Sequence, residues 1–147
     1  MYIGKFHKYA VAGICLAGMQ NDHVAHIAKV ASDALIKKGF KVMIFNAFTD
    51  MYYDTPYSKG EASVYHLINL DIVDVLVIMP ETIKSEWVTD TIIRYAHAAK
   101  IPVIMLDGSH NGCTNITYDY GRSLESVVEH VITEHKCTDL FFMAGTK

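Results

Sequence analysis

Asp107 closes the apolar run "IPVIML" and is followed at once by Gly108, Ser109 and His110, so a carboxylate stands where a buried strand ends. A carboxylate in that place does one of two things. It turns the chain by bonding nearby backbone, or it accepts hydrogen bonds from a polar ligand at the rim of a sheet. Similar groups follow the other apolar runs: Gln20, Asn21 and Asp22 after the first, Asn46 and Thr49 after the second, Glu81 after the third. A ring of amides and carboxylates suits recognition of hydroxyl groups. Asp107 and Glu81 could instead act as the acid and base of a small hydrolase or isomerase. No nucleophile–base pair or metal set accompanies them, so no catalytic residue is expected.

Other reactive side chains have plainer readings. His23 and His26, spaced i,i+3 at a helix start, and His110 with Cys113 each offer two metal ligands. No third or fourth ligand lies nearby in sequence, so no metal site is expected. Cys15 sits within an apolar run and reads as core, because a reactive thiolate needs an electropositive, partly exposed setting. The three cysteines, Cys15, Cys113 and Cys137, are an odd number at unrelated spacings, which fits reduced thiols better than a disulfide frame. No cofactor is expected either. The turn after the first strand lacks the Gly-x-Gly-x-x-Gly pattern of dinucleotide binding, and "LAGMQND" lacks the hydroxyls that wrap a flavin phosphate.

The elements that must position these groups repeat. An apolar strand followed by a helix-period segment occurs four times, and this predicts an α/β domain with a parallel sheet. The first strand is expected over residues 9–16. Asn21 or Asp22 then caps a helix with Val24, Ile27, Ala28, Ala31 and Leu35 on one face, ended by Gly39. Further strands are expected over 42–45, 75–79 and 103–106. A helix carrying Val64, Leu67 and Ile68 follows the second. One starting near Ser85 and burying Val88, Ile92, Tyr95, Ala96 and Ala99 follows the third. After the fourth comes a helix with Leu124, Val127, Val128, Val131 and Ile132 inward. The run "DLFFMAG" is expected to close the sheet as strand five. In such sheets the loops beyond the carboxyl ends of the strands form the ligand crevice, and those loops hold the polar ring.

At 147 residues the chain suits a single domain, and 51% hydrophobic against 20% charged residues is enough to fill a core. Thirteen basic and sixteen acidic residues give a net charge of −3, with the basic ones scattered, which argues against nucleic acid as a direct partner. No apolar run approaches the ~20 residues of a membrane span. The apolar stretch after Lys8 reads as the first strand rather than a signal core, so a cytoplasmic location is expected.

Taken together, "GFKVMIFNAF", "LINLDIVDVLVIMPE", "IPVIMLDGSHNGCTNITYDYGRSLESVVEHVITEH" and "DLFFMAG" resemble the amino-terminal lobe of the sensor domain of the lac and galactose repressor family, a relative of periplasmic sugar-binding proteins. The chain looks most like the sensors of this type that are fused to a diguanylate cyclase (GGDEF) domain. The resemblance runs from about Lys8 to Gly145 and implies half of a two-lobe sensor, a three-layer, doubly wound α/β lobe with a parallel sheet in the order 2-1-3-4-5 and flavodoxin-like topology. A small polar ligand, sugar-like in many members, would bind between the lobes and control an attached output domain. Asp107 matches the family's ligand-contacting carboxylate at the end of strand four, and residues 20–22 and 46–48, including Phe48, match loops that line its cleft. The resemblance also implies a homodimer formed through residues 51–65, where Tyr52, Tyr53, Tyr57 and Tyr65 supply the aromatic surface common in interface cores.

Overall fold

The computed structural model describes residues 9–48 and 55–143. Its five-stranded sheet is all parallel, in the order β2-β1-β3-β4-β5, with β1 at Val11–Ala17, β2 at Lys41–Ala47, β3 at Val75–Ile78, β4 at Val103–Leu106 and β5 at Thr114–Ile116. The helices are α1 (Asp22–Lys37), α2 (Pro56–Ala62), α3 (Pro80–Ile83), α4 (Glu86–Ala98) and α5 (Tyr120–Thr133), and a 3-10 turn, Ser63–Leu67, continues α2.

Strand alternation divides the core into two layers, because successive side chains point to opposite faces of a sheet. Ile14, Leu16, Val77 and Met79 form one layer with Ala28 of α1, and Val24, Ile27, Ala31 and Leu35 pack against it from the predicted helix face. Cys15, Phe45, Leu76, Ile78 and Met105 form the other, beneath Val88, Ile92, Ile93 and Ala96 of α4. A fully buried Leu or Ile contributes about 1.5–3 kcal/mol, so the two layers are the main source of stability for this part of the chain. β1, which pairs with β2 along its whole length and with β3 from Ala12 to Cys15, is buried at every position. At Gly13 a β-carbon would lie 2.7 Å from Leu76 Cδ2 and 3.3 Å from Phe45 Cε2, so the close packing of β1 on β3 depends on its absence.

The helix ends follow their local chemistry. Asn21 accepts from the backbone of His23 at 2.9 Å and caps α1, a contact worth about 1 kcal/mol. Gly39 beyond α1 has a φ of 89°. Ser85 caps α4 through Val88 N, and Thr55 caps α2 through Ser58 N at 3.0 Å. The helix expected around Val64 to Ile68 is mostly the 3-10 turn, with α2 placed earlier because Thr55 and Pro56 start it well. On α4, Tyr95 and Ala99 are exposed, and the buried places fall to Thr89 and Ile93.

The fifth strand is not the one expected from the sequence. β4 pairs with Thr114–Ile116, reached by the loop 107–113 without an intervening helix, and residues 139–143 take no strand conformation. The apolar run at 139–143 has strand propensity, but the place beside β4 is held by Thr114–Ile116.

Contacts divide the chain into two compact units, residues 1–117 and 118–147. The first contains the whole sheet. The second contains α5, capped by Asp119, whose Oδ1 accepts from Arg122 N at 2.9 Å. The stripe of Leu124, Val127, Val128, Val131 and Ile132 forms at the helical spacing expected, but this unit does not cover it, and no residue of α5 is buried. Among the described residues no helix is long and apolar enough to cross a membrane.

Candidate functional site

The loops after β1 and β2 are tied together by the polar residues the sequence singles out. Asn46 Oδ1 accepts from Met19 N at 3.1 Å, and Gln20 Nε2 donates to the Phe48 carbonyl at 2.7 Å. The backbone adds a bond from Gly18 N to the Ala47 carbonyl at 2.7 Å. Phe48 is itself exposed, and its N–H donates to Glu61 Oε2 at 2.8 Å. The amide groups at this corner therefore hold the rim in shape, while the Asn21 oxygen is committed to capping α1 beside Asp22.

The loops after β3 and β4 form the second half of the edge. Pro80 starts α3 with the exposed Glu81 in its first turn. Asp107 is half-buried with a φ of 58°, and its N–H donates to the Ile116 carbonyl at 2.8 Å, which extends the β4–β5 pairing by one bond. Asp and Asn tolerate this left-handed region better than other residues with a β-carbon, so the backbone alone gives one reason for Asp at the end of β4. The next residue, Gly108, lies so close to the Pro80 ring that a β-carbon would overlap it. Loop three and loop four are thereby pressed together.

Beside that contact lies a depression of about 250 Å³ lined by Glu81, Glu86, Asp90, Ser109 and His110, with Met105 and Thr89 below. Three carboxylates, the Lys84 ammonium, the Ser85 and Ser109 hydroxyls and an imidazole line it, a donor and acceptor set suited to a small, hydroxyl-rich molecule. The volume falls just below the ~300–1,000 Å³ of most small-molecule sites. Of the residues expected to bind ligand, this depression gathers only Glu81; Asp107 is not among those that line it. Glu86 and Asp90 escape a reading by loops because they belong to the first turns of α4. The signal for them is their i,i+4 spacing after the Ser85 cap, over the carboxyl end of β3.

His110 and Cys113 do meet a third group, His97 from α4. Cys113 Sγ lies 3.8 Å from His110 Nδ1 and 3.9 Å from His97 Nε2, distances of weak sulfur hydrogen bonds. His110 Nδ1 also lies 2.7 Å from the Asn111 carbonyl, an acceptor, which puts a proton on that nitrogen and leaves Nε2 facing Asp90 Oδ1 at 3.6 Å. Burial raises the Cys113 thiol above its ordinary range, so the cluster works as a strap between α4 and the β4–β5 loop. Among the described residues no group of three His, Cys, Asp or Glu side chains is arranged to hold a metal ion. His23 and His26 are exposed on α1. Cys15 is fully buried, and burial pushes its thiol up to about 12.

Of the tyrosines expected at an interface, Tyr57 is exposed on α2. Tyr65 is not available: it is buried in the core, and its hydroxyl donates to the Leu16 carbonyl at 2.7 Å. Spacing alone did not reveal that the 3-10 turn points it inward. Tyr52, Tyr53 and Thr49 lie outside the described residues.

A second, larger concavity of about 960 Å³ lies between α2 with its 3-10 turn and α4, and its lining is mainly apolar. No protein-family model matches the chain, and comparison with curated proteins finds no match.

Proposed function

We propose that this chain is a ligand-binding lobe of a sensor resembling those of the lac and galactose repressor family. In this reading it takes a small polar molecule such as a sugar at the carboxyl edge of its sheet, as half of a cleft, and controls an attached output domain such as a diguanylate cyclase. The observation that carries the proposal is the depression lined by Glu81, Glu86, Asp90, Ser109 and His110 at that edge, in a parallel sheet, the kind in which ligands commonly bind beyond the carboxyl ends of the strands. The clasped loops at Gln20 and Asn46 provide a rim prepared before ligand arrives. Asp107 completes the edge as an acceptor for a ligand hydroxyl.

One lobe supplies about half of the contacts of a two-lobe cleft. Halving the ~8 kcal/mol of a micromolar ligand leaves a Kd near 1 mM, so the test is nuclear magnetic resonance titration with neutral monosaccharides at about ten times that Kd. Shifts confined to amides of residues 18–22, 46–48, 81–90 and 107–110 are expected. Saturable shifts elsewhere, or none with any sugar, overturn the reading.

The same proposal includes a homodimer in which exposed Tyr57 takes part. Sedimentation velocity on the wild type should show a dimer that Tyr57→Ser weakens. A wild-type monomer at high concentration removes this part.

A further inference from the structure

The edge depression carries an unbalanced set of charges. Glu86, Thr89 and Asp90 line it from α4 at i, i+3 and i+4, the spacing that puts side chains on one face of a helix, and Glu81 lines it from α3. Asp90 has a partner in His110, whose Nε2 lies 3.6 Å from its Oδ1. Glu81 and Glu86 form no ion pair among the described residues. Lys84 stands on the same rim, but it is engaged in an interaction of its own and pairs with neither glutamate.

A buried hydroxyl points the same way. Ser58 and Thr89 are the buried polar side chains among the described residues. The Ser58 hydroxyl lies 2.8 Å from Thr55 Oγ1 and is satisfied there. Thr89, 6% exposed, has no hydrogen-bond partner for its hydroxyl among the described residues, and it lines the depression. Burying a hydroxyl without a partner costs stability, and a bound molecule can supply the missing bond.

Charge decides the class of that molecule. A neutral sugar covering Glu81 and Glu86 takes two carboxylates out of water and brings no counter-charge, which opposes binding. Among the described residues no three of these groups are arranged to hold a metal ion, so the counter-charge belongs to the ligand. An ammonium group brings three N–H donors and a positive charge on one atom, and hydrogen bonds between ionised partners are the strong ones.

We propose that the edge depression selects a small hydroxylated primary amine, an amino sugar in the simplest case, with its ammonium met by the carboxylates of Glu81 and Glu86 and a hydroxyl bonded to Thr89 Oγ1. This rests on the sensor reading above and narrows its ligand from neutral sugars to cationic ones.

The test compares D-glucosamine with D-glucose, which has a hydroxyl in place of the amine, by nuclear magnetic resonance titration of the full chain at about pH 6.5, where a primary amine carries its proton. Glucosamine should shift amides of residues 81–90 and 107–110 with a Kd at least about tenfold below that of glucose. The double variant Glu81→Gln, Glu86→Gln should bring the two Kd values together, its thermal midpoint confirming the fold. Thr89→Val keeps the shape of the side chain and removes the hydroxyl. It should weaken glucosamine at least about threefold while keeping or raising the thermal midpoint, because no hydrogen bond within the protein is lost. Equal Kd values for the two sugars overturn the amine class and leave the sensor reading in place. Saturable shifts elsewhere, or none with either sugar, overturn both. A preference for glucosamine that survives the double variant, or a midpoint lowered by Thr89→Val, overturns the contacts assigned to these residues.

Discussion

The hydroxyl of Tyr65 donates to the Leu16 carbonyl across 2.7 Å, joining the 3-10 turn after α2 to the end of β1. Both residues are buried, so the bond is shielded from water, and it fixes the turn under the loop that carries Gln20. Tyr65→Phe keeps the ring and removes the donor, leaving a buried carbonyl to lose its partner at a cost of about 1–3 kcal/mol. Thermal unfolding should show a midpoint lowered by about 2–4 °C for each kcal/mol. A midpoint equal to wild type would mean that the hydroxyl contributes nothing.

Cys15 and Tyr65 also set the alkaline limit of the fold. Burial raises Cys15 from an ordinary 9.0 to about 12 and raises Tyr65 above the usual phenol range, with the neighbouring Cys15 as a second cause. In the unfolded chain the Cys15 thiol ionises at its ordinary value, so at alkaline pH the folded state binds more protons. The stabilisation is then complete below about pH 9 and declines as pH rises toward 12. Denaturant midpoints measured across that window should fall, and Cys15→Val should flatten part of the slope. In thiol labelling of the native protein, exposed Cys137 should react rapidly and Cys15 only on unfolding. Prompt labelling of Cys15 would contradict the buried placement.

Two glycines give opposite expectations from one substitution. A β-carbon at Gly108 would overlap the Pro80 ring, whereas at Gly60, inside α2, it would meet nothing within 4 Å. Gly108→Ala should force loops three and four apart and destabilise by about 1–3 kcal/mol. Gly60→Ala should stabilise by about 0.5–1 kcal/mol, because alanine loses less backbone freedom on entering a helix. Paired denaturation curves test both, and equal midpoints for the two variants would rule out the close contact at Pro80.

Four strands were legible in the sequence because β1 and β3 are buried nearly throughout and, with β2 and β4, read as short continuous apolar runs, with Asn21, Gly39, Ser85 and Pro102 marking the boundaries. The repeat of strand and helix gives the parallel α/β class, whereas the order 2-1-3-4-5 does not follow from the repeat alone. The fifth strand was not legible: "TNI" has little hydrophobic signal, and its place depends on the edge of β4 rather than on its own residues. Tyr65 and Tyr95 exchanged their expected places because a 3-10 turn and a shifted stripe on α4 decide orientation, and neither follows from a 3.6-residue period. The polar edge was half legible. Glu81 comes directly after a strand, but Glu86, Asp90 and His110 join it only when α4 and the β4–β5 loop fold over the same corner.

Asp107 offers a test that separates a turn from a binding role. Its φ of 58° means that Asp107→Ala would add backbone strain of about 1–2 kcal/mol, so loss of binding in that variant would be ambiguous. Asn occupies the left-handed region nearly as well as Asp and keeps one acceptor oxygen while removing the charge. If Asp107 only turns the chain, Asp107→Asn should leave both the thermal midpoint and sugar-induced shifts at residues 107–110 as in wild type. If it accepts a hydrogen bond from a ligand hydroxyl, the midpoint should again be unchanged, but the apparent Kd should rise about tenfold, the loss of ~1.4 kcal/mol expected when a charged acceptor becomes a neutral one. Titrations of Asp107→Asn and Glu81→Gln under the same conditions complete the comparison, since Glu81 lines the edge depression and its loss should weaken the same ligand. A response to Glu81→Gln alone would move the binding site from the end of β4 to the depression beside it.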